Sequence, residues 1–191
     1  MTRYPDDLPE GLPEPVDDGA ADHLTGMRVP GIGLAATDGS RVRLDGREAD
    51  RTVVYAYPRT GRPGDDPLTP DWDMVPGARG CTPESCGFRD HHAELAAYGA
   101  EVFGLSTQDS TYQQEVVDRL RLPFPLLSDQ GLSLTTAMSL PIFEAAGLVL
   151  LRRLTMVLRD GVVEKVFYPV FPPDGHATEV LDWFGGVTLP R

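Results

Sequence analysis

The sequence predicts an α/β fold: a mixed central sheet with helices on both faces and a β-hairpin extension at its N-terminus. Three observations predict it. Through the middle of the chain, runs of β-branched and aromatic residues alternate with stretches of helical spacing, the pattern of parallel strands joined by helical crossovers. Two turn signals, Thr37-Asp38-Gly39-Ser40 and Arg159-Asp160-Gly161, each sit between short strand-like runs and read as hairpins, which adds antiparallel strands at both ends. The 191 residues are enough for one domain around a single core.

The elements follow in order. Residues 1–26 hold seven acidic residues, one Arg and four Pro, half of the net charge of −12, with almost no apolar pattern. They read as an acidic, Pro-rich, poorly ordered tail, which leaves 27–191 as the domain. Residues 32–36 and 41–44 flank the first turn. Residues 52–57 are β-branched and aromatic and read as a buried strand. Residues 58–80, with five Pro and four Gly, are a long irregular loop, and loops of that length are usually functional or disordered. Helical spacing resumes over 82–98, with Phe88, Ala93, Leu95 and Ala96 for its buried side. A strand at 101–106, a helix at 111–120, a strand at 124–127 and a helix at 132–138 come next. Strands at 154–158 and 162–168 pair across the second turn, and a helix at 178–184 closes the chain. This order is that of a thioredoxin-like fold.

Charge narrows the function. An excess of 29 acidic over 17 basic residues argues against nucleic acid and anionic membrane surfaces as partners. No apolar run approaches 18 residues and no basic-then-apolar leader opens the chain, so a cytoplasmic protein is expected. Sixteen of the 17 basic residues are Arg, which reads as genomic bias.

The chemistry concentrates in Gly80-Cys81-Thr82-Pro83-Glu84-Ser85-Cys86-Gly87-Phe88-Arg89-Asp90, which holds the only two cysteines. Two thiols in a reducing compartment are more often redox-active than structural. Thr82, Pro83 and Glu84 are helix-start residues, so Cys81 falls where backbone N–H groups are unpaired and the helix dipole is positive, a setting that favours a reactive thiolate. Positions i and i+5 on a helix lie roughly 8–9 Å apart at Cα, whereas a disulfide needs about 7 Å or less. A Cys81–Cys86 bridge therefore requires the first helical turn to unwind. A zinc site is not expected, because the C-x₄-C gap is wide and two further ligands are missing. His91 and His92 read as solvated helix residues, and His23 and His176 have no evident partner.

Gly80-Cys81-Thr82 followed by Cys86-Gly87-Phe88-Arg89-Asp90 resembles the bacterioferritin-comigratory-protein (Q-type) peroxiredoxins. So do Tyr57-Pro58, Leu105-Ser106, Phe124-Pro125-Leu126-Leu127-Ser128-Asp129 and Arg153-Leu154-Thr155. The likeness runs over roughly residues 29–185 and implies a peroxidase. By this resemblance Cys81 is the peroxidatic cysteine, Cys86 resolves it through an intramolecular disulfide, and Arg153, rather than Arg152, is the active-site arginine. A peroxide is the implied substrate and a thioredoxin-like dithiol the implied reductant. No cofactor or metal is implied, and a monomer is expected ahead of a homodimer. Ionising a thiol fully gains only about thirtyfold over its ordinary thiolate fraction at neutral pH. The remaining acceleration must come from donors aimed at the peroxide oxygens.

One departure from the family pattern is large. The family places Pro seven residues and Thr three residues before the peroxidatic cysteine, where this chain has Met74 and Ala78. Between Pro58 and Cys81 lie 22 residues, an insertion of about 16 within loop 58–80. Thr60, or less favourably Thr69, is the candidate for the missing hydroxyl. The inserted Trp72 either caps the pocket or packs the loop. The insertion also leaves room for a peroxiredoxin-like protein repurposed for a pathway-specific thiol oxidation, and the acidic tail for a non-enzymatic redox sensor. Residues 167–173 are expected to pack under the cysteine helix, with a dimer patch as the other reading. Arg89-Asp90 reads as a helix-surface pair, and Asp129 as the organiser of a turn.

Overall fold

A computed structural model describes residues 8–186. In chain order it contains β1 (Gly33–Ala36), β2 (Arg41–Arg43), β3 (Arg51–Ala56), a 3-10 turn (Trp72–Met74), α1 (Cys81–Asp90), α2 (His92–Ala97), β4 (Ala100–Ser106), α3 (Ser110–Leu120), β5 (Leu126–Ser128), α4 (Ser133–Met138), β6 (Ile142–Ala145), β7 (Leu148–Leu151), β8 (Leu154–Arg159), β9 (Val162–Phe167) and α5 (His176–Gly186). Seven strands form one sheet in the order β2-β1-β5-β4-β3-β8-β9. Strands β3, β4 and β5 are parallel neighbours, and every other pairing is antiparallel. This is the thioredoxin-like mixed sheet with its N-terminal hairpin.

Strand β3 sits inside the sheet and all six of its residues are buried. Alternation along it divides the core in two. Val53, Tyr55 and, just beyond the strand, Tyr57 face α1, α2, α3 and α5 through Phe88, Leu95, Val116 and Phe184. Val54 and Ala56 face α4 through Leu134 and Met138. Phe88 anchors α1, fully buried and stacked on Tyr55 with ring centroids 4.4 Å apart. Truncating such a residue to Ala costs about 3–5 kcal/mol.

Three differences from the sequence reading matter for the site. Residues 1–7 of the expected tail lie outside the described residues, while 8–26 run along the domain rather than projecting from it. Ala21 and Leu24 are buried in the α4-side core, His23 Nε2 lies 2.9 Å from the Met138 carbonyl, and Tyr168 donates to Asp18 at 2.8 Å. Second, the helix expected over 82–98 is two helices, interrupted at His91. Third, β6 and β7 form a separate hairpin. Its turn is Ala146-Gly147, both at positive φ (49° and 74°), the geometry of a type I′ turn. Alanine rarely takes that position, so the turn carries no Asn-Gly or Asp-Gly signal.

The hairpin is the support for the inserted loop. Trp72 is buried and lies with its ring centroid 6.2 Å from that of Phe143, in a small cluster with Ala78 and Leu150. Among the described residues no helix is long and apolar enough to cross a membrane.

Candidate active site

Cys81 is the first residue of α1. Gly80 before it takes φ 106°, and a Cβ there would collide with Pro173 Cγ and come within 3.0 Å of Leu8 Cδ2. Only glycine turns the chain into the helix at that point. The first intrahelical bond runs from Glu84 N–H to the Gly80 carbonyl at 3.1 Å. The N–H groups of Cys81 and Thr82 therefore precede the helical ladder, and Pro83 has none. The segment expected to pack near the cysteine helix does so, through Pro173 against Gly80 and buried Val170.

Arg153 reaches this point from the two-residue link between β7 and β8. Its Nη2 donates to Cys81 Sγ at 3.2 Å and to the carbonyls of Gly77 and Arg79, each at 3.2 Å. One NH₂ group has two hydrogens for three acceptors, so a bond can be redirected to an incoming oxygen without new desolvation. Its Nη1 forms an ion pair with Glu84. Both side chains are essentially fully buried. Burial opposes the Arg153 charge, but Glu84 and then Cys81 outweigh it and hold the guanidinium above its ordinary pKa. Burial likewise pushes the Glu84 carboxyl up, with Arg153 and then His176 pulling against it. Arg152 points elsewhere: it is 41% exposed, lies 3.8 Å from Asp18 and donates to the Ile142 carbonyl.

Cys86 is half-buried in the same unbroken helix as Cys81, and neither is in a disulfide. Thr60 is buried, and its hydroxyl donates to Gln108 Oε1 at 3.1 Å. Its backbone N–H and carbonyl are also held by Gln108. The Thr69 hydroxyl is buried without a hydrogen-bond partner among the described residues. His176, read from sequence as unpartnered, is buried between Thr155 Oγ1 at 2.8 Å and Glu179 Oε2 at 3.0 Å. His91 pairs with Glu94 at 2.7 Å. No metal-binding cluster occurs among the described residues.

Under α1, Tyr55 donates to Ser85 Oγ at 3.1 Å and Gln113 donates to Tyr57 Oη at 3.1 Å. Burial pushes the pKa values of both tyrosines far up. Tyr168 is pushed up to about 12 by burial and then by its bond to Asp18. Because the folded values exceed the unfolded value of about 10, this contribution to stability is intact below pH ~10 and is lost above it. Ultraviolet titration should show Tyr55 and Tyr57 silent until unfolding and Tyr168 ionising near pH 12, whereas all six tyrosines of the denatured chain ionise near pH ~10.

A cleft of about 680 Å³ opens onto Cys81. Thr82 and Pro83 of α1 form one wall, the inserted loop with Arg59, Arg62, Leu68 and Trp72 the other, and Tyr112 of α3 lies at its edge. Trp72 thus both packs the loop and lines the pocket. Sequence reasoning missed two residues that shape the site. Glu84 read as a first-turn acid, though its i+3 spacing from Cys81 places both on one helical face. Gln108, beyond the end of β4, carried no signal.

The Redoxin family profile matches residues 24–181. The chain belongs to the redoxin family. The curated relatives described next are Q-type peroxiredoxins, and this chain is one of them. Chloroplastic peroxiredoxin Q of Suaeda salsa is 33% identical over 159 residues, covering 82% of this chain and 65% of its own. That of Sedum lineare is 30% identical over 156 residues, covering 82% and 75%. Peroxidoxin BcpB of Mycobacterium tuberculosis superposes with a TM-score of 0.69 at 27% identity, covering 87% of this chain and 99% of its own. This redoxin spans about 64% of the length of the rice peroxiredoxin Q proteins it matches.

Proposed function

We propose that this chain is a thiol-dependent peroxidase acting on hydrogen peroxide or organic hydroperoxides. The observation that carries the reading is the buried Arg153 guanidinium 3.2 Å from Cys81 Sγ at the start of α1. Sulfur 81 attacks the distal peroxide oxygen. The O–O bond breaks, its electron pair leaves on the RO fragment, and that fragment takes a proton to become water or an alcohol. Cys81 is left as a sulfenic acid. Arg153 Nη2 and the free N–H groups of the first turn face the oxygens on which charge develops. Thr60 gives its hydrogen to Gln108 and is not among the residues that line the cleft, so no step is assigned to it. Cys86 then attacks the sulfenic sulfur, the S–S bond forms and hydroxide departs as water. A thioredoxin-like dithiol reduces that bond and becomes a disulfide itself. On family likeness the working unit is a monomer, for which light scattering should give a mass near 20.8 kDa.

The test is direct. The purified chain with a dithiol reductant should consume peroxide catalytically, and mass spectrometry of the stoichiometrically oxidised protein should find a Cys81–Cys86 disulfide. Consumption no faster than with the dithiol alone overturns the reading.

A further inference from the structure

We propose that Arg59 and Arg62, carried by the inserted loop to the Cys81 cleft, bind the anionic group of an organic hydroperoxide whose O–O bond lies at Cys81. The proposal rests on the peroxidase reading and names its substrate class. Both guanidiniums sit over one ring: their Cζ atoms are 4.9 Å and 4.3 Å from the Tyr112 centroid. Two like charges on one aromatic ring repel each other, and no carboxylate among the described residues pairs with either of them. The other cleft cation, Arg79, already leans on Asp73 at 3.6 Å. In a chain of net charge −12, two cations left without carboxylates beside a reactive thiol are a site for an external anion.

The backbone that presents them is fixed. Thr60, between the two arginines, is locked to Gln108 on three atoms. The Gly61 carbonyl accepts from Arg119 at 3.2 Å, and Asp65 N–H closes a turn onto the Arg62 carbonyl at 3.2 Å. Asp65 and Asp66 line the same cleft and disfavour a ligand of high negative charge, which points to a single carboxylate. Pro67, Leu68, Trp72 and Pro83 supply apolar wall for the carbon chain. The volume of about 680 Å³ far exceeds hydrogen peroxide and lies within the roughly 300–1,000 Å³ of small-molecule sites. Reaction at the O–O bond is as written above; the carboxylate takes no part in it.

The full chain is tested with linear hydroperoxy-alkanoates of graded length, each beside its methyl ester, by the second-order rate of Cys81 oxidation. At one or more lengths the acid should react at least tenfold faster than its ester. The ratio should shrink in high salt, fall to about one in Arg59→Gln/Arg62→Gln, and invert in Arg62→Glu. Arg62 is exposed, so its single variants carry the test if the double variant does not fold, and the ratio in the unaltered protein needs no variant. Equal acid and ester rates at every length, or a preference that survives the double variant, overturns the proposal. So does a double variant whose only defect is a raised KM for a protein dithiol, which would make the pair a reductant contact. If neither hydrogen peroxide nor any organic hydroperoxide oxidises Cys81, the peroxidase reading itself fails, a result distinct from loss of the acid preference.

Discussion

Cys81→Ser is expected to reduce peroxide consumption to that of the dithiol alone, while Cys86→Ser keeps one fast round of oxidation and then stalls. A serine hydroxyl at position 81 would occupy the same point before the helical ladder, beside Arg153 Nη2. It lacks an ionisable, polarisable sulfur, so donors around it have no nucleophile to serve. The second variant isolates the other half of the cycle. Its sulfenic acid has no partner in the same helix, persists, and advances to the sulfinic form as peroxide is added in excess. Stopped-flow mixing with one equivalent of peroxide, followed by mass spectrometry, reads both results. The reverse pattern, with first oxidation lost in Cys86→Ser and kept in Cys81→Ser, would exchange the two roles. The geometry adds a further expectation. Both cysteines share one unbroken α1, and helical i, i+5 spacing of roughly 8–9 Å is too long for a disulfide. Bridge formation must therefore unwind the turn between Gly80 and Glu84, and with it the Arg153 contacts to Gly77, Arg79 and Glu84.

What the sequence made legible were features encoded locally. The buried strand, the Asp160-Gly161 hairpin and the helix start at the cysteines all follow from neighbours a few residues apart. The packing of 8–26 does not, because two apolar residues, Ala21 and Leu24, secure an acidic stretch whose composition reads as solvated. The β6–β7 hairpin was hidden by Ala146 in a left-handed turn. Both insert and hairpin matter to the cleft, and each makes sense only against the other: Trp72 has its place because Phe143 and Leu150 are there. The site divides in the same way. Cys81, Cys86 and Arg153 came from motif, but the partners that hold them, Glu84 above all, depend on tertiary contacts 69 residues apart in sequence. His176 shows the same limit: an isolated histidine in the sequence is a buried link between Thr155 and Glu179 in the fold.

The Glu84–Arg153 pair yields the second large effect, and a variant series can separate its structural role from its chemical one. A buried ion pair earns little net stability, since the desolvation of two charges offsets their attraction, but removing one member strands the other charge in a dry interior. Glu84→Met and Arg153→Met should each lose about 3–5 kcal/mol, a fall in Tm on the order of 10 °C for a domain of this size. The double variant Glu84→Met/Arg153→Met removes both charges together and should recover most of that loss. Activity should not recover with it. Without the guanidinium at Cys81 the rate of sulfur oxidation should drop by roughly 10²–10³, the usual cost of a lost donor at a developing anion, in Arg153→Met and in the double variant alike. Glu84→Met leaves the arginine present but unanchored at Nη1, so its oxidation rate should fall less than that of Arg153→Met while its stability falls as far. Thermal unfolding and stopped-flow oxidation of the three variants measure the two quantities independently. A double variant as unstable as either single one would mean that the pair is held by contacts other than its charges, and a double variant with the unaltered oxidation rate would remove Arg153 from the chemistry.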